Sequence, residues 1–126
     1  MFRIDPLSRQ PVYEQLIDQL ERLVLSGILT PETQLPSVRS LSVELAVNPN
    51  TIQKAYSELD TRGIIYSVPS IGCFVSPQAV SILREHTRKK LDALRALTAE
   101  LALGGLSREE IVACIDQIFE ERGSSD

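Results

Sequence analysis

Asn50, Thr51, Gln53, Lys54 and Ser57 recur at spacings that bring them to the outer side of one helix. Ile52, Ala55, Tyr56 and Leu59 alternate with them as an apolar stripe, so a helix that buries the stripe turns the polar set outward. Their chemistry suits a nucleic-acid groove. Asn and Gln amides can pair bidentately with adenine, Thr can bond a phosphate or touch a thymine methyl, and Lys reaches guanine or phosphate. Amide N–H groups at the start of the helix add donors for a phosphate. The competing account of the same residues is a solvated polar face.

The elements that must hold these residues are marked by caps and turns. Asn48 can cap the helix, Pro49 can occupy its first turn without losing a hydrogen bond, and Gly63 suits a left-handed cap after Arg62. Ser37 caps a short preceding helix with Val38, Leu41 and Leu45 inward, joined through Ala46-Val47. Further upstream, Val12, Leu16, Leu20, Leu23 and Val24 form a stripe between Pro11, suited to a first-turn position, and Gly27, suited to a C-terminal cap. Residues 28–36 read as a connection with a short strand near Gln34-Leu35. Ile64-Ile65-Tyr66 and Cys73-Phe74-Val75 are β-type runs around 67–72, where Pro69, Ser70 and Gly72 favour a turn. After Ser76-Pro77 the pattern is helical to about Leu103, breaks at Gly104-Gly105, and resumes at Ser107 with a capping box to Glu110. Residues 123–126 read as a frayed end. The order predicts a mainly α fold with a small β-hairpin: a winged helix-turn-helix over 1–76, then a two-helix segment over 77–126.

Composition narrows the function. A chain of 126 residues, 43% hydrophobic and 24% charged, can fold but leaves no room for a large enzyme core. With 5% aromatic residues and no Trp, the core must come from Leu, Ile, Val and Ala. No apolar run approaches the ~18 residues of a membrane span, and the start lacks a signal-peptide pattern, so a cytoplasmic protein without a membrane partner is expected. Cys73 and Cys114 are far apart with only His86 as an imidazole, which argues for two reduced thiols and against a metal site or a disulfide. The same inventory offers no catalytic group and no Gly-rich phosphate loop, so neither an enzyme nor a cofactor is expected. A net charge of −4, with six Lys or Arg against eight Asp or Glu in 1–76, opposes phosphate binding. Placement of the few cations therefore decides the matter.

Leu35-Pro36-Ser37-Val38-Arg39, Val47-Asn48-Pro49-Asn50-Thr51-Ile52, Arg62-Gly63-Ile64-Ile65-Tyr66 and Gly72-Cys73-Phe74-Val75, with Asp5-Pro6 and Pro11-Val12-Tyr13-Glu14-Gln15 upstream, together resemble the GntR superfamily. Within it the chain is similar to the YtrA-type branch. The resemblance implies a homodimeric transcription regulator, usually a repressor that blocks promoters, with a short two-helix tail and no large effector domain. It also implies that Arg39 contacts DNA, often a guanine, for which a guanidinium offers paired donors. Arg39 paired with Glu44 or Glu58 is the alternative. Ser37 can bond a phosphate while capping its helix. The expected DNA-facing set is thus Ser37, Arg39, Asn48, Asn50, Thr51, Gln53, Lys54, Ser57, Ser67 and Ser70. The wing departs from the family: 67–72 has no cation, so any contact falls to Ser67, Ser70 or backbone amides, with Ile71 a turn residue and Gly72 structural.

In the tail, Leu91, Leu94, Leu97 and Leu101 on one helix and Ile111, Ile115, Ile118 and Phe119 on the next give two apolar stripes that two lone helices cannot both bury. Pairing with a second copy resolves this and presents two recognition helices to a near-palindromic double-stranded DNA operator, with half-sites about 10 bp apart or a multiple of that. Folding back onto the chain's own winged helix is the alternative. Arg84, Arg88, Lys89 and Lys90 form a basic cluster that either reaches flanking phosphates or is a solvated, salt-bridged face beside Glu85 and Asp92. Any small-molecule effector would have to bind between protomers, and no residue marks its site. A winged-helix protein-interaction module that never binds DNA is the rival function, favoured by the acidic balance and the uncharged wing.

Overall fold

The computed structural model describes residues 1–124. Among them the order is α1 (Val12–Leu25), α2 (Val38–Leu45), α3 (Pro49–Thr61), β1 (Ile65–Val68), β2 (Gly72–Val75), α4 (Ala79–Lys89), α5 (Leu91–Leu103) and α6 (Arg108–Ser124). The fold is mainly helical with one antiparallel hairpin, as the sequence predicts. Two compact units divide the chain, one spanning Met1–His86 and the other beginning at Thr87.

In the first unit, α1 buries Leu16, Ile17, Leu20 and Val24, α2 buries Leu41, and α3 buries Ile52, Ala55, Tyr56 and Leu59. Ile64, Ile65 and Val75 of the hairpin region complete the core with Ala79 and Leu83 of α4. The caps follow the sequence closely. Ser37 Oγ accepts from the Ser40 N–H at 3.0 Å, Asn48 Oδ1 accepts from the Asn50 N–H at 2.8 Å, and Pro49 takes the first turn of α3. Gly63 has φ 81° and Gly27 φ 83°, the left-handed geometry that glycine adopts without steric cost. Pro11 differs by one position: it is the N-cap of α1 rather than a first-turn residue.

The turn between α2 and α3 falls at Ala46-Val47 as expected, but its backbone is left-handed at an alanine. Ala46 adopts φ 54° and ψ 44°, and the Val47 N–H reaches back to the Ser42 carbonyl at 3.1 Å. An alanine pays a steric penalty there that glycine avoids. Ala46→Gly is expected to stabilise the fold by about 0.5–1 kcal/mol, after its own entropy cost, with DNA affinity unchanged. Urea denaturation together with DNA titration checks both halves.

The hairpin pairs Ile65 with Val75, Tyr66 with Phe74, Ser67 with Cys73 and Val68 with Gly72. Its tip is a tight turn in which the Ile71 N–H bonds the Val68 carbonyl at 3.0 Å, with Pro69 followed by Ser70 at φ 67°. That order matches a type II turn. The short strand expected near Gln34 is a single bridge to Phe74. Gln34 Nε2 also donates to the Ile71 carbonyl at 2.9 Å and lies where a Cβ on Gly72 would come within 2.7 Å of it. Gly72, the first residue of β2 rather than part of the turn, is therefore a close-approach residue.

The segment before α1 is tied down by two glutamines one turn apart. Gln15, buried, accepts from the Asp5 N–H at 2.9 Å and donates to the Gln10 carbonyl at 2.9 Å and the Asp5 carbonyl at 3.2 Å. Gln19 accepts from the Arg3 N–H at 2.8 Å and donates to the Arg3 carbonyl, while Phe2 is buried in the core. Gln15→Ala strands three backbone groups, and a loss of about 1–3 kcal/mol is expected. Thermal melts and hydrogen exchange confined to residues 2–10 would register it.

In the second unit, the single helix expected up to Leu103 is divided at Lys90. Lys90 keeps helical angles, φ −67° and ψ −13°, but its N–H bonds Thr87 at 3.0 Å, a tighter turn than α-helix. No Gly or Pro marks the place. Ser107 and Glu110 form the expected reciprocal capping box, at 3.0 and 3.1 Å. α5 packs on α6, yet no residue of α5 is buried. Leu91, Leu94, Leu97, Ile115, Ile118 and Phe119 are exposed, Leu97 at 51% and Phe119 at 71%, while Leu101 and Ile111 are half-buried. Of the end expected to fray, Gly123 and Ser124 belong to α6, and Ser125 and Asp126 lie outside the described residues. No helix among the described residues is long and apolar enough to cross a membrane.

Candidate nucleic-acid interface

Burial of its apolar stripe leaves Asn50, Gln53, Lys54 and Ser57 of α3 exposed and Thr51 half-buried. Gln53 Nε2 donates to Ser57 Oγ at 3.0 Å, which lines the two side chains up along the helix. The Asn50 and Thr51 side chains make no hydrogen bond among the described residues. Asn50 is therefore an uncommitted side-chain amide next to the helix start, whereas the backbone donors expected there for a phosphate are taken: Pro49 has none, the Asn50 N–H bonds Asn48 Oδ1, and the Thr51 and Ile52 N–H groups bond the Asn48 carbonyl. Asn48 is different. Its carbonyl oxygen is committed to the cap, leaving its NH2 group as the part free to reach a phosphate.

α2 packs on α3 and is bolted to it by Tyr56, whose hydroxyl donates to the Pro36 carbonyl at 2.7 Å. Burial chiefly, and then the field of Cys73, push the Tyr56 phenol well above its ordinary range, so it remains a donor at any working pH. That bond fixes the entry to α2 just before Ser37 and Arg39. Arg39 is exposed and has no ion pair or hydrogen bond among the described residues. The alternative pairing is unmet: Glu58 binds Arg62 at 3.1 Å instead, and no pair forms with Glu44 among those residues. Ser37 spends one lone pair on its cap and keeps its hydroxyl hydrogen for another partner.

Two members of the expected set sit differently from the rest. Lys54 is exposed like its neighbours, but its ammonium lies 3.9 Å from the ring centroid of Tyr13 on α1. Ser67, on the hairpin, donates to Asp60 of α3 at 3.3 Å and lies 3.4 Å from Cys73 Sγ, so it braces the wing against α3. Ser70 is exposed at the hairpin tip. Tyr66 and Phe74 stack with centroids 5.6 Å apart, and the Tyr66 hydroxyl binds Glu32, a bond that raises the phenol's pKa. Among the described residues Arg84, Arg88, Lys89 and Lys90 make no ion pair; of the expected partners, Asp92 binds Arg95 at 2.6 Å and Glu85 takes no cation. Neither Tyr13 nor Asp60 was expected to touch the candidate set, since contacts between distant segments leave no periodic signal. Cys73 and Cys114 are both free thiols, and no cluster of metal-ligating side chains exists among the described residues.

The profile described as "Bacterial regulatory proteins, gntR family" matches residues 12–75, from the start of α1 to the end of the hairpin. The chain is 38% identical over 119 residues to the HTH-type transcriptional repressor YtrA of Bacillus subtilis (strain 168), covering 94% of this chain and 92% of that protein. A crystal structure of a transcriptional regulator from Oenococcus oeni superposes with a TM-score of 0.74 at 32% identity, covering 92% of this chain and 97% of that one. The DNA-binding domain of AraR, solved in complex with operator ORX1, gives a TM-score of 0.53 at 31% identity over 58% of this chain and 90% of that one. With its winged helix, its short helical tail and its full-length likeness to YtrA, the chain belongs to the GntR family of DNA-binding transcription regulators, in the YtrA-type branch.

Proposed function

We propose that the protein is a repressor that binds a near-palindromic operator as a homodimer, with 1–76 reading DNA and 77–126 pairing the protomers. The observation that carries this reading is the division of α3: a fully buried apolar row on one side and the exposed, base-compatible row Asn50, Gln53 and Ser57 on the other. Arg39, free of any carboxylate partner among the described residues, extends that row from α2. Ser37, Asn48 and Thr51 supply phosphate contacts around it, and Ser70 is the wing's remaining polar contact. The relative named as a repressor supports the sign of regulation, and the operator complex of a related domain supports DNA over a protein partner as the target.

The exposed apolar residues of α5 and α6 support pairing with a second copy, because so much leucine, isoleucine and phenylalanine surface is unfavourable in water. Two tests check the two parts. DNase footprinting of promoter fragments, the protein's own included, should show salt-sensitive protection of paired half-sites about 10 bp apart or a multiple of that. Absence of protection on every fragment would overturn DNA recognition. Sedimentation at micromolar concentration without DNA should give a dimer, and a monomer there would remove the pairing role of the tail.

A further inference from the structure

Lys54 is the residue of α3 whose placement the reading head leaves unexplained. On a helix that turns Asn50, Gln53 and Ser57 outward, its ammonium instead leans toward α1 and rests over Tyr13. The carboxylates nearby have other donors. Glu58, one turn on and the ordinary ion-pair partner for a lysine, receives Arg62 at 3.1 Å, and Arg62 also binds Glu21 at 2.9 Å. Asp18 accepts from Gln10 at 2.6 Å, and the Tyr13 hydroxyl donates to Glu14 at 3.2 Å. Lys54 has no ion pair among the described residues.

An aromatic face and a carboxylate hold a lysine with different consequences. A carboxylate neutralises the charge and occupies its N–H donors. A ring attracts the cation through its quadrupole and leaves both the charge and the outward donors available to an incoming anion. Tyr13 is half-buried and packed against the core near the start of α1, which restricts the ring's movement. Both residues line an open cleft of about 300 Å³ along the α1 side of α3. When a recognition helix lies in a major groove, base edges face its outward row and the sugar-phosphate strands run along its flanks. A cation held on the flank meets phosphate.

We propose that Lys54 is a phosphate contact rather than a base reader, and that Tyr13 is the positioning residue that holds its ammonium for that contact without neutralising it. This role rests on α3 lying in a DNA groove. It also gives an acidic reading head one oriented, unneutralised cation on the recognition helix.

The test uses the full chain and a duplex selected by the wild type from a randomised library, together with single base-pair variants of that duplex, titrated across a salt series. Lys54→Gln should weaken binding to every duplex by the same factor and flatten the salt dependence by about one unit per protomer. Tyr13→Phe, which keeps the ring, should behave as wild type. Tyr13→Leu should weaken binding about two- to fivefold per protomer, and add nothing in a chain already carrying Lys54→Gln. The role is overturned if Lys54→Gln erases preference at one base pair, if Tyr13→Phe is as damaging as Tyr13→Leu, or if the two losses multiply. Should Tyr13→Leu fail to fold, the Lys54 side-chain NMR signals decide: an upfield ring-current shift kept in Tyr13→Phe supports the contact, and ordinary shifts overturn it. A wild type that selects no duplex removes the assignment of α3 itself and this role with it. Selection by the wild type followed by any of the adverse results removes the role alone.

Discussion

Arg39→Ala is expected to lower operator affinity by about 1–3 kcal/mol per half-site, which doubles to about 2–6 kcal/mol for a dimer whose half-sites contribute independently. The size follows from the lack of substitutes. Arg39 is exposed, has no carboxylate partner among the described residues, and sits just after the Ser37 cap on a helix held to α3 by the Tyr56 hydroxyl. Its guanidinium is thus free to pair with guanine O6 and N7 at no cost in broken ion pairs. Thermal stability should stay within about 0.5 kcal/mol of wild type, as for other surface substitutions. Arg39→Lys is the sharper control. It keeps the charge but loses the planar fork, so it should restore affinity for non-specific DNA while leaving specific binding impaired. Full recovery of specific affinity by lysine, measured by anisotropy on the operator and on a duplex with the guanine replaced, would rule out bidentate reading.

Leu97→Asp should have an effect of similar scale by a different route. Leu97 is 51% exposed on α5, so a carboxylate there leaves the fold intact while making any apolar protein interface at that position costly. The chain should sediment as a monomer. Its affinity for an intact operator should fall by about two to four orders of magnitude, the range lost when two linked binding events become separate. Affinity for a duplex carrying one half-site should be unchanged. That pairing of results distinguishes a dimerisation defect from damage to the reading head, which would weaken both duplexes alike. Ile115 and Ile118 on α6 offer the same experiment on the second stripe.

Much of the fold was readable because short-range chemistry punctuates it. Ser37, Asn48-Pro49, Gly63 and the Ser107–Glu110 box each satisfy backbone groups within four residues, so the sequence carries the signal locally. The apolar stripes of α1 and α3 were likewise visible as periods. What escaped depends on contacts between distant segments or on backbone angles that a residue type disfavours. Ala46 in a left-handed conformation has no compositional marker, and the division at Lys90 lacks the Gly or Pro that would announce it. The clamp of Gln15 and Gln19 on the preceding segment joins amides to backbone groups, and its one visible trace was a pair of glutamines at helical spacing. At the interface, the outward row was legible and its modulation by neighbours was not. The turn of Lys54 toward Tyr13 and the hold of Asp60 on Ser67 follow from how α1 and the hairpin flank α3.

Arg62 closes α3 with its guanidinium shared between Glu21 and Glu58, at 2.9 and 3.1 Å. A cation spent internally displaces no counterions from random DNA, and the wing contributes none. Residence on non-operator sequence should therefore be brief, and one-dimensional sliding short. Such a protein would find its site by repeated three-dimensional encounters, so its search time would depend more on copy number than on how far each molecule scans. Freeing Arg62 would lengthen those scans, at the risk of holding the protein on genomic DNA where no operator lies.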